Sequence, residues 1–185
     1  MKSFLVILFS ALTVVACGGT DDESEVAAPP PTEPEIDIWT AAGQGAVTII
    51  QQHIDYGTDV NSTFAAEGVI GTGGTALHIA LLAHKHEVAE LLIENGADIN
   101  RQAIHPDPYG GTPLHWAIAV ENTTGVDALI EAGANVNSVD NSGTMPLDVA
   151  ILDLSTFQPI NYERLSPQKK SIYDRLSAKG ARHSR

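Results

Sequence analysis

Two stretches of this chain repeat each other in both residues and spacing, and this limits the fold more than any average over the sequence. Gly74-Thr75-Ala76-Leu77-His78-Ile79-Ala80 returns as Gly111-Thr112-Pro113-Leu114-His115-Trp116-Ala117, and more loosely as Thr144-Met145-Pro146-Leu147-Asp148-Val149-Ala150. The first two copies also share an ending, Leu91-Leu92-Ile93-Glu94-Asn95-Gly96-Ala97-Asp98-Ile99-Asn100 and Ala128-Leu129-Ile130-Glu131-Ala132-Gly133-Ala134-Asn135-Val136-Asn137. Leu77 precedes Asn100 by 23 positions, and Leu114 precedes Asn137 by the same 23. A fainter copy runs from Ile38-Trp39-Thr40-Ala41-Ala42 to Asn61. The spacing from copy to copy is 38 positions for Trp39 to Leu77, 37 for Leu77 to Leu114 and 33 for Leu114 to Leu147. A period in this range marks a stacked-repeat architecture, because one such unit cannot bury its own apolar face. The surplus falls between Asn61 and Thr75 and between Asn100 and Thr112, where Gly and Pro accumulate, so these are enlarged loops.

The pattern resembles the ankyrin repeat, with its 33-residue period and Thr-Pro-Leu-His-x-Ala core. The resemblance implies an all-α repeat solenoid of helix pairs joined by β-hairpin-like loops, about four repeats with degenerate end caps. It covers residues 36–182, divided at about 36–68, 69–105, 106–139 and 140–182, with 183–185 as a tail. The residues agree with it physically. Val88, Leu91 and Leu92 form an apolar stripe at helical spacing. Ala80, Ala117 and Ala150 are small where helices must approach, and Gly57, Gly96, Gly133 and Gly180 stand where second helices end. Ser166-Pro167 is a helix start and Lys179-Gly180 a stop. The family pattern also implies that His78 and His115 are structural struts, each bonding the preceding hydroxyl, Thr75 or Thr112, and the backbone of the next repeat. Asp148 replaces the histidine in the last repeat, which breaks the pattern at that end.

The N-terminus reads as an address. Lys2 precedes an apolar run from Phe4 to Val15 that is shorter than the ~20 residues of a usual membrane span, and Ala16 is small. Val14-Val15-Ala16-Cys17 resembles the lipobox of bacterial lipoproteins, which makes residues 1–16 a signal peptide and Cys17 the lipidated first residue. The alternative is an ordinary signal peptide with a chance cysteine. Gly18 in place of an Asp leans towards the outer membrane. The stretch up to residue 35 carries Asp21, Asp22, Glu23, Glu25, Glu33 and Glu35 with four prolines and one branched aliphatic residue, Val26. It cannot bury enough to fold. At ~3.1 Å per residue such a tether reaches up to ~55 Å from a membrane.

Charge is polarised along the chain. Its net −13 divides into +1 from Lys2, −20 from Cys17 to Glu163, where Lys85 and Arg101 are the only bases, and +6 from Arg164 to Arg185. An acidic body repels phosphate backbones, which argues against nucleic acid and for a partner protein with a basic surface. A single cysteine excludes internal disulfides and multi-cysteine metal sites.

Other chemistry is weakly supported. His84-Lys85-His86 places two imidazoles at i and i+2, which point apart, while His53, His105 and His183 are isolated in sequence. No Gly-x-Ser-x-Gly elbow is present. Gly71-Thr72-Gly73-Gly74 lacks the Lys of a P-loop and reads as a turn. Asp140-Asn141-Ser142-Gly143 matches an inter-repeat turn better than a calcium loop. We expect no enzyme, no cofactor and no metal, with a histidine-based metalloprotein or hydrolase as the reading from another class.

The expected function is protein binding by a monomer, lipid-anchored and facing the periplasm. Carrying the family pattern over residue by residue assigns partner contacts to Phe64 and Glu67 in the first enlarged loop, Asp107 and Tyr109 in the second, and Asp140, Asn141 and Asp153 in the third repeat. Loop aromatics suit binding hot spots. A small acidic lipidated repeat protein resembles immunity proteins that neutralise toxins reaching the periplasm. The alternative is a scaffold or accessory factor for an envelope enzyme or stress response.

Overall fold

The computed structural model describes residues 31–66, 72–104, 110–153, 156 and 158–184. Four helix pairs follow one another: α1 (Ile38–Gln44) with α2 (Val47–Tyr56), α3 (Ala76–Leu82) with α4 (His86–Glu94), α5 (Pro113–Ala119) with α6 (Thr123–Glu131), and α7 (Pro146–Ile151) with α8 (Pro167–Ala178). Helices this short do not hold in isolation, because nucleation costs more than one or two turns return. They persist by stacking. The inner helices α1, α3, α5 and α7 pack in succession, and the outer helices α2, α4, α6 and α8 do the same. Leu77, Leu81, Leu92, Leu114, Ile118 and Leu129 are fully buried between them, each contributing about 2 kcal/mol through apolar burial. Ala80, Ala117 and Ala150 are also fully buried, at the places where a longer side chain would push helices apart.

Each inner helix begins at a matched position. Asp37, Thr75, Thr112 and Met145 are the N-caps, and their spacing reproduces the 38, 37 and 33 positions read from the sequence. The Asp37 side chain accepts from the Thr40 N–H. In the second and third repeats a histidine at the third helical position takes the role of the capping-box Glu, since His78 Nδ1 accepts from the Thr75 N–H and His115 Nδ1 from the Thr112 N–H, both at 3.1 Å.

A second set of bonds ties repeat to repeat. Asn61 donates to the Gly96 carbonyl and accepts from the Asp98 N–H. Asn100 accepts from the Asn135 N–H, and Asn137 donates to the Gly180 carbonyl while accepting from the Arg182 N–H. Gly180-Ala181-Arg182 therefore stands where Gly96-Ala97-Asp98 and Gly133-Ala134-Asn135 stand, which identifies α8 as the outer helix of the fourth repeat. Asn122, fully buried, donates to the Leu81 carbonyl at 2.8 Å and caps α6 by accepting from the Gly125 N–H.

The fourth repeat differs at its inter-helix turn. Three residues separate α3 from α4 and α5 from α6, but α7 runs into a segment of fifteen, residues 152–166, before α8. This segment pairs β1 (Leu152–Asp153) with β2 (Gln158–Pro159) antiparallel and adds a 3-10 turn at Tyr162–Arg164. Lys169, buried on α8, donates to the Leu152 carbonyl and pins the insertion to the helix. Ser166 caps α8 as expected, accepting from the Lys169 N–H. Among the described residues no helix is long and apolar enough to cross a membrane.

Candidate protein-interaction surface

The loops that precede the inner helices are bonded into one ridge. In the first, Phe64 N–H donates to the Gly74 carbonyl at 2.8 Å and Gly73 N–H to the Phe64 carbonyl at 2.6 Å, beside a bridge between Thr63 and Thr75. The second loop joins it where the Ile104 N–H donates to the Gly73 carbonyl at 2.8 Å. Gly73 has φ 80°, and a Cβ there would lie 2.2 Å from the Ile104 carbonyl oxygen, so no other residue fits. Its N–H is spent inside the turn, in keeping with the turn reading of this stretch, of which Gly71 lies outside the described residues. The third loop closes on Asp140, whose Oδ1 accepts from the N–H groups of Ser142 and Thr144, both at 2.8 Å. Gln102 then donates to the Val139 carbonyl at 3.2 Å and to Asn141 Oδ1 at 3.0 Å, linking the second loop to the third.

Two aliphatic side chains stand out of this ridge. Ile104 is 67% exposed and Val139 48%. Neither was singled out from the sequence. The available signal was an aliphatic residue inside a run of turn-forming residues, with no periodic partner to bury it. Along the neighbouring inner helices Ile79, Leu82, Ala119 and Val120 are half-buried and uncharged. Trp116 is 9% exposed and sits edge-on to the His78 ring at 4.9 Å, so the indole belongs chiefly to packing.

The expected contact residues are distributed unevenly. Glu67, Asp107, Tyr109 and the lipidation site Cys17 lie outside the described residues. Phe64 is at the base of the first loop, half-buried, with its ring 5.8 Å from Trp39, whose Nε1–H donates to the Ser62 carbonyl. Asp140 is half-buried and Asn141 exposed on the ridge. Asp153 is elsewhere, on β1 beyond the far end of α7, and does not belong to the ridge.

Behind the ridge stand the histidines. His78 Nδ1 lies 3.0 Å from the Thr75 hydroxyl, and its Nε2–H donates to the Gly111 carbonyl of the next repeat at 3.3 Å. His115 lies 2.9 Å from the Thr112 hydroxyl and donates to the Thr144 carbonyl at 3.1 Å. Because Nδ1 accepts, both rings are neutral with the proton on Nε2. Burial pushes the His78 pKa down to about 4, against the Gly111 and Arg101 carbonyls, which favour the proton. His115 is also lowered, again mainly by burial. His53 is buried as well, 3.0 Å from the Thr58 hydroxyl and 2.8 Å from the Ile36 carbonyl, so it fastens the segment entering α1 onto α2. Among the described residues no three His, Cys, Asp or Glu side chains come together as a metal-holding group.

Residues 38–140, more than half of the chain, match the family described as Ankyrin repeats (3 copies). The chain belongs to the ankyrin-repeat family. The match ends where the fourth repeat begins, and that repeat is divided by its insertion. Ankyrin repeats are typically non-enzymatic protein-interaction domains. The potassium channel AKT1 of Arabidopsis thaliana is 36% identical over 66 residues, 36% of this chain. The chain spans 7% of that channel's length.

Proposed function

We propose that this ankyrin domain binds a cationic protein along the loop ridge and the adjoining inner helices while held at a membrane by a lipid on Cys17. One observation carries the reading: Ile104 and Val139 are exposed on a hydrogen-bonded ridge, within a stretch whose formal charge is −20. Exposed aliphatic side chains on a stiff backbone suit anchoring, since little conformational freedom is lost on binding. The surrounding carboxylates steer a basic partner and raise its association rate. The acidic Pro-rich tether gives the domain reach from the membrane.

The specific form we propose is an immunity protein that neutralises a toxin delivered to the periplasm, an envelope location being where a stoichiometric acidic binder meets a basic or lipid-degrading enzyme. The test is capture of partners by the wild-type chain and by an Ile104→Asp/Val139→Asp variant. Retention by the wild type, loss by the variant and weakening by salt support the reading; equal capture by both moves the site off the ridge. Cys17→Ala tests the anchor through loss of membrane fractionation. Unaltered survival of cells lacking the gene, when challenged with the captured partner, removes the immunity role and leaves the binding role standing.

A further inference from the structure

After α8 the chain does not leave the domain. Residues 180–184 lie along the last repeat as a strap. At its start the strap copies the interior pattern, with the Gly180 carbonyl accepting from Asn137 Nδ2 at 3.2 Å and the Arg182 N–H donating to Asn137 Oδ1 at 2.8 Å. Beyond Arg182 the pattern changes. His183 Nδ1 meets Asp148 Oδ1 at 2.7 Å, and the Ser184 N–H donates to Asp148 Oδ2 at 2.8 Å. The His183 ring also lies against Tyr173, 6.1 Å between centroids.

Asp148 occupies the position of His78 and His115. Those histidines donate forward to a carbonyl of the following repeat, whereas the described residues beyond the fourth repeat meet this position with an imidazole and a backbone N–H. A carboxylate reverses the polarity, so that the repeat offers acceptors and the strap supplies donors. The strap thereby covers an edge which, at the interior boundaries, the next repeat covers. Its hold is slight: Arg182, His183 and Ser184 are exposed, and Gly180, at φ 80°, is a joint at the end of α8. Segments with exposed hydrogen bonds and little burial open at low free-energy cost.

We propose that residues 180–184 are an autoinhibitory strap. It closes an acceptor-lined edge, built of Asn137 and Asp148, against a donor-rich cationic peptide segment of a partner protein, which takes the same acceptors when the strap lifts. This rests on the reading of the chain as a binder of cationic proteins. The strap defines what the edge accepts, because its own residues are a glycine-led basic run presenting backbone N–H groups and an imidazole. Tethering gives it an effective concentration of about a millimolar, so a free segment well below that level is excluded while the strap is attached.

The probe is a fluorescein-labelled synthetic peptide of residues 179–184, followed by anisotropy. It is titrated with the full chain, with the chain ending at Ala181, and with that shorter chain carrying Asp148→Asn, after circular dichroism has matched their helix content. The shorter chain is expected to bind at least ten-fold more tightly than the full chain, and Asp148→Asn to remove the gain. Equal binding to all three, binding to none, or a gain that survives Asp148→Asn overturns the proposal. Ile104→Asp/Val139→Asp in the shorter chain should leave peptide binding intact, so failure of the ridge reading and failure of the strap are told apart.

Discussion

The second and third repeats and the fourth solve the same problem with opposite chemistry. In the interior, a neutral imidazole stands behind each inner-helix N-terminus and donates across the boundary, His78 to Gly111 and His115 to Thr144. At the end, a carboxylate receives, taking His183 and the Ser184 N–H. The interior bridge is buried and must stay uncharged, while the terminal one is partly wet and carries its charge. Burial also pushes the Asp148 carboxyl up, but the bonds from Ser184, His183 and the Met145 N–H outweigh it and hold the carboxyl below its usual range. The lesson is that one position in a repeat is selected by what lies beyond it.

The sharpest way to break the comparison is to remove an interior strut. His78→Ala deletes a fully buried ring, its bonds to Thr75 and Gly111 and its edge contact with Trp116. The expected loss is about 3 kcal/mol, from a cavity plus stranded polar groups, read as a lower urea midpoint. Asp148→Ala strands only partly wet donors at the chain's end and should cost about 1 kcal/mol. A terminal loss as large as the interior one would abolish the distinction.

Acid separates the two regions without mutation. Folded His78 titrates at about 4 against a reference of 6.5, so between those values the unfolded chain holds the proton and the folded chain does not. The stabilisation is complete above pH 6.5 and is lost as pH falls towards 4. From pH 7 to pH 5 the loss attributable to His78 is about 2 kcal/mol, with His115 adding in the same direction. Asp148 has the same sign in a lower window: its folded pKa is lowered too, so its contribution is fully present above 3.8, untouched between pH 7 and pH 5, and disappears only as pH falls through the folded value. Amide exchange at pH 7 and pH 5 should show the interior boundaries loosening first. Uniform loosening, or an unchanged urea midpoint, would overturn the assignment of neutral struts.

The interior was legible in the sequence for a physical reason: repeat boundaries there use residues at fixed spacing, so Thr75, His78, Thr112 and His115 announce themselves by recurrence. The end was legible only as a departure. Asp148 broke the pattern, but its partners lie 35 and 36 positions further on, in residues that recur nowhere else, and no period pointed to them. Helix α8 was readable from Ser166-Pro167 and Lys179-Gly180, because capping is local. On the ridge, Asp140 and Asn141 lie where a turn motif put them, while Ile104 and Val139 show themselves only once the chain is folded. Asp153, assigned to partner contact together with Asp140 and Asn141, stands on β1 at the start of the insertion after α7, away from the ridge.

The smallest effect tests the helix-pair turns, which are alike in the second and third repeats and absent from the fourth. His84 and Glu121 occupy equivalent turn positions, and each has φ 55°, a left-handed backbone that costs a side-chain-bearing residue about 1 kcal/mol. Glycine removes that cost but has more freedom to lose on folding, so His84→Gly should stabilise the chain by only about 0.5 kcal/mol. Glu121→Gly relieves the same strain and forfeits another contact. The Glu121 carboxylate accepts from the Ser166 hydroxyl at 2.7 Å, and Ser166 is the cap of α8. The two effects oppose each other, and the second substitution should come out near zero or slightly destabilising. Urea midpoints of the two variants, measured side by side, test this. If both gain equally, the Glu121 bond contributes nothing; if His84→Gly loses stability, strain at these turns is not what distinguishes the interior repeats from the last.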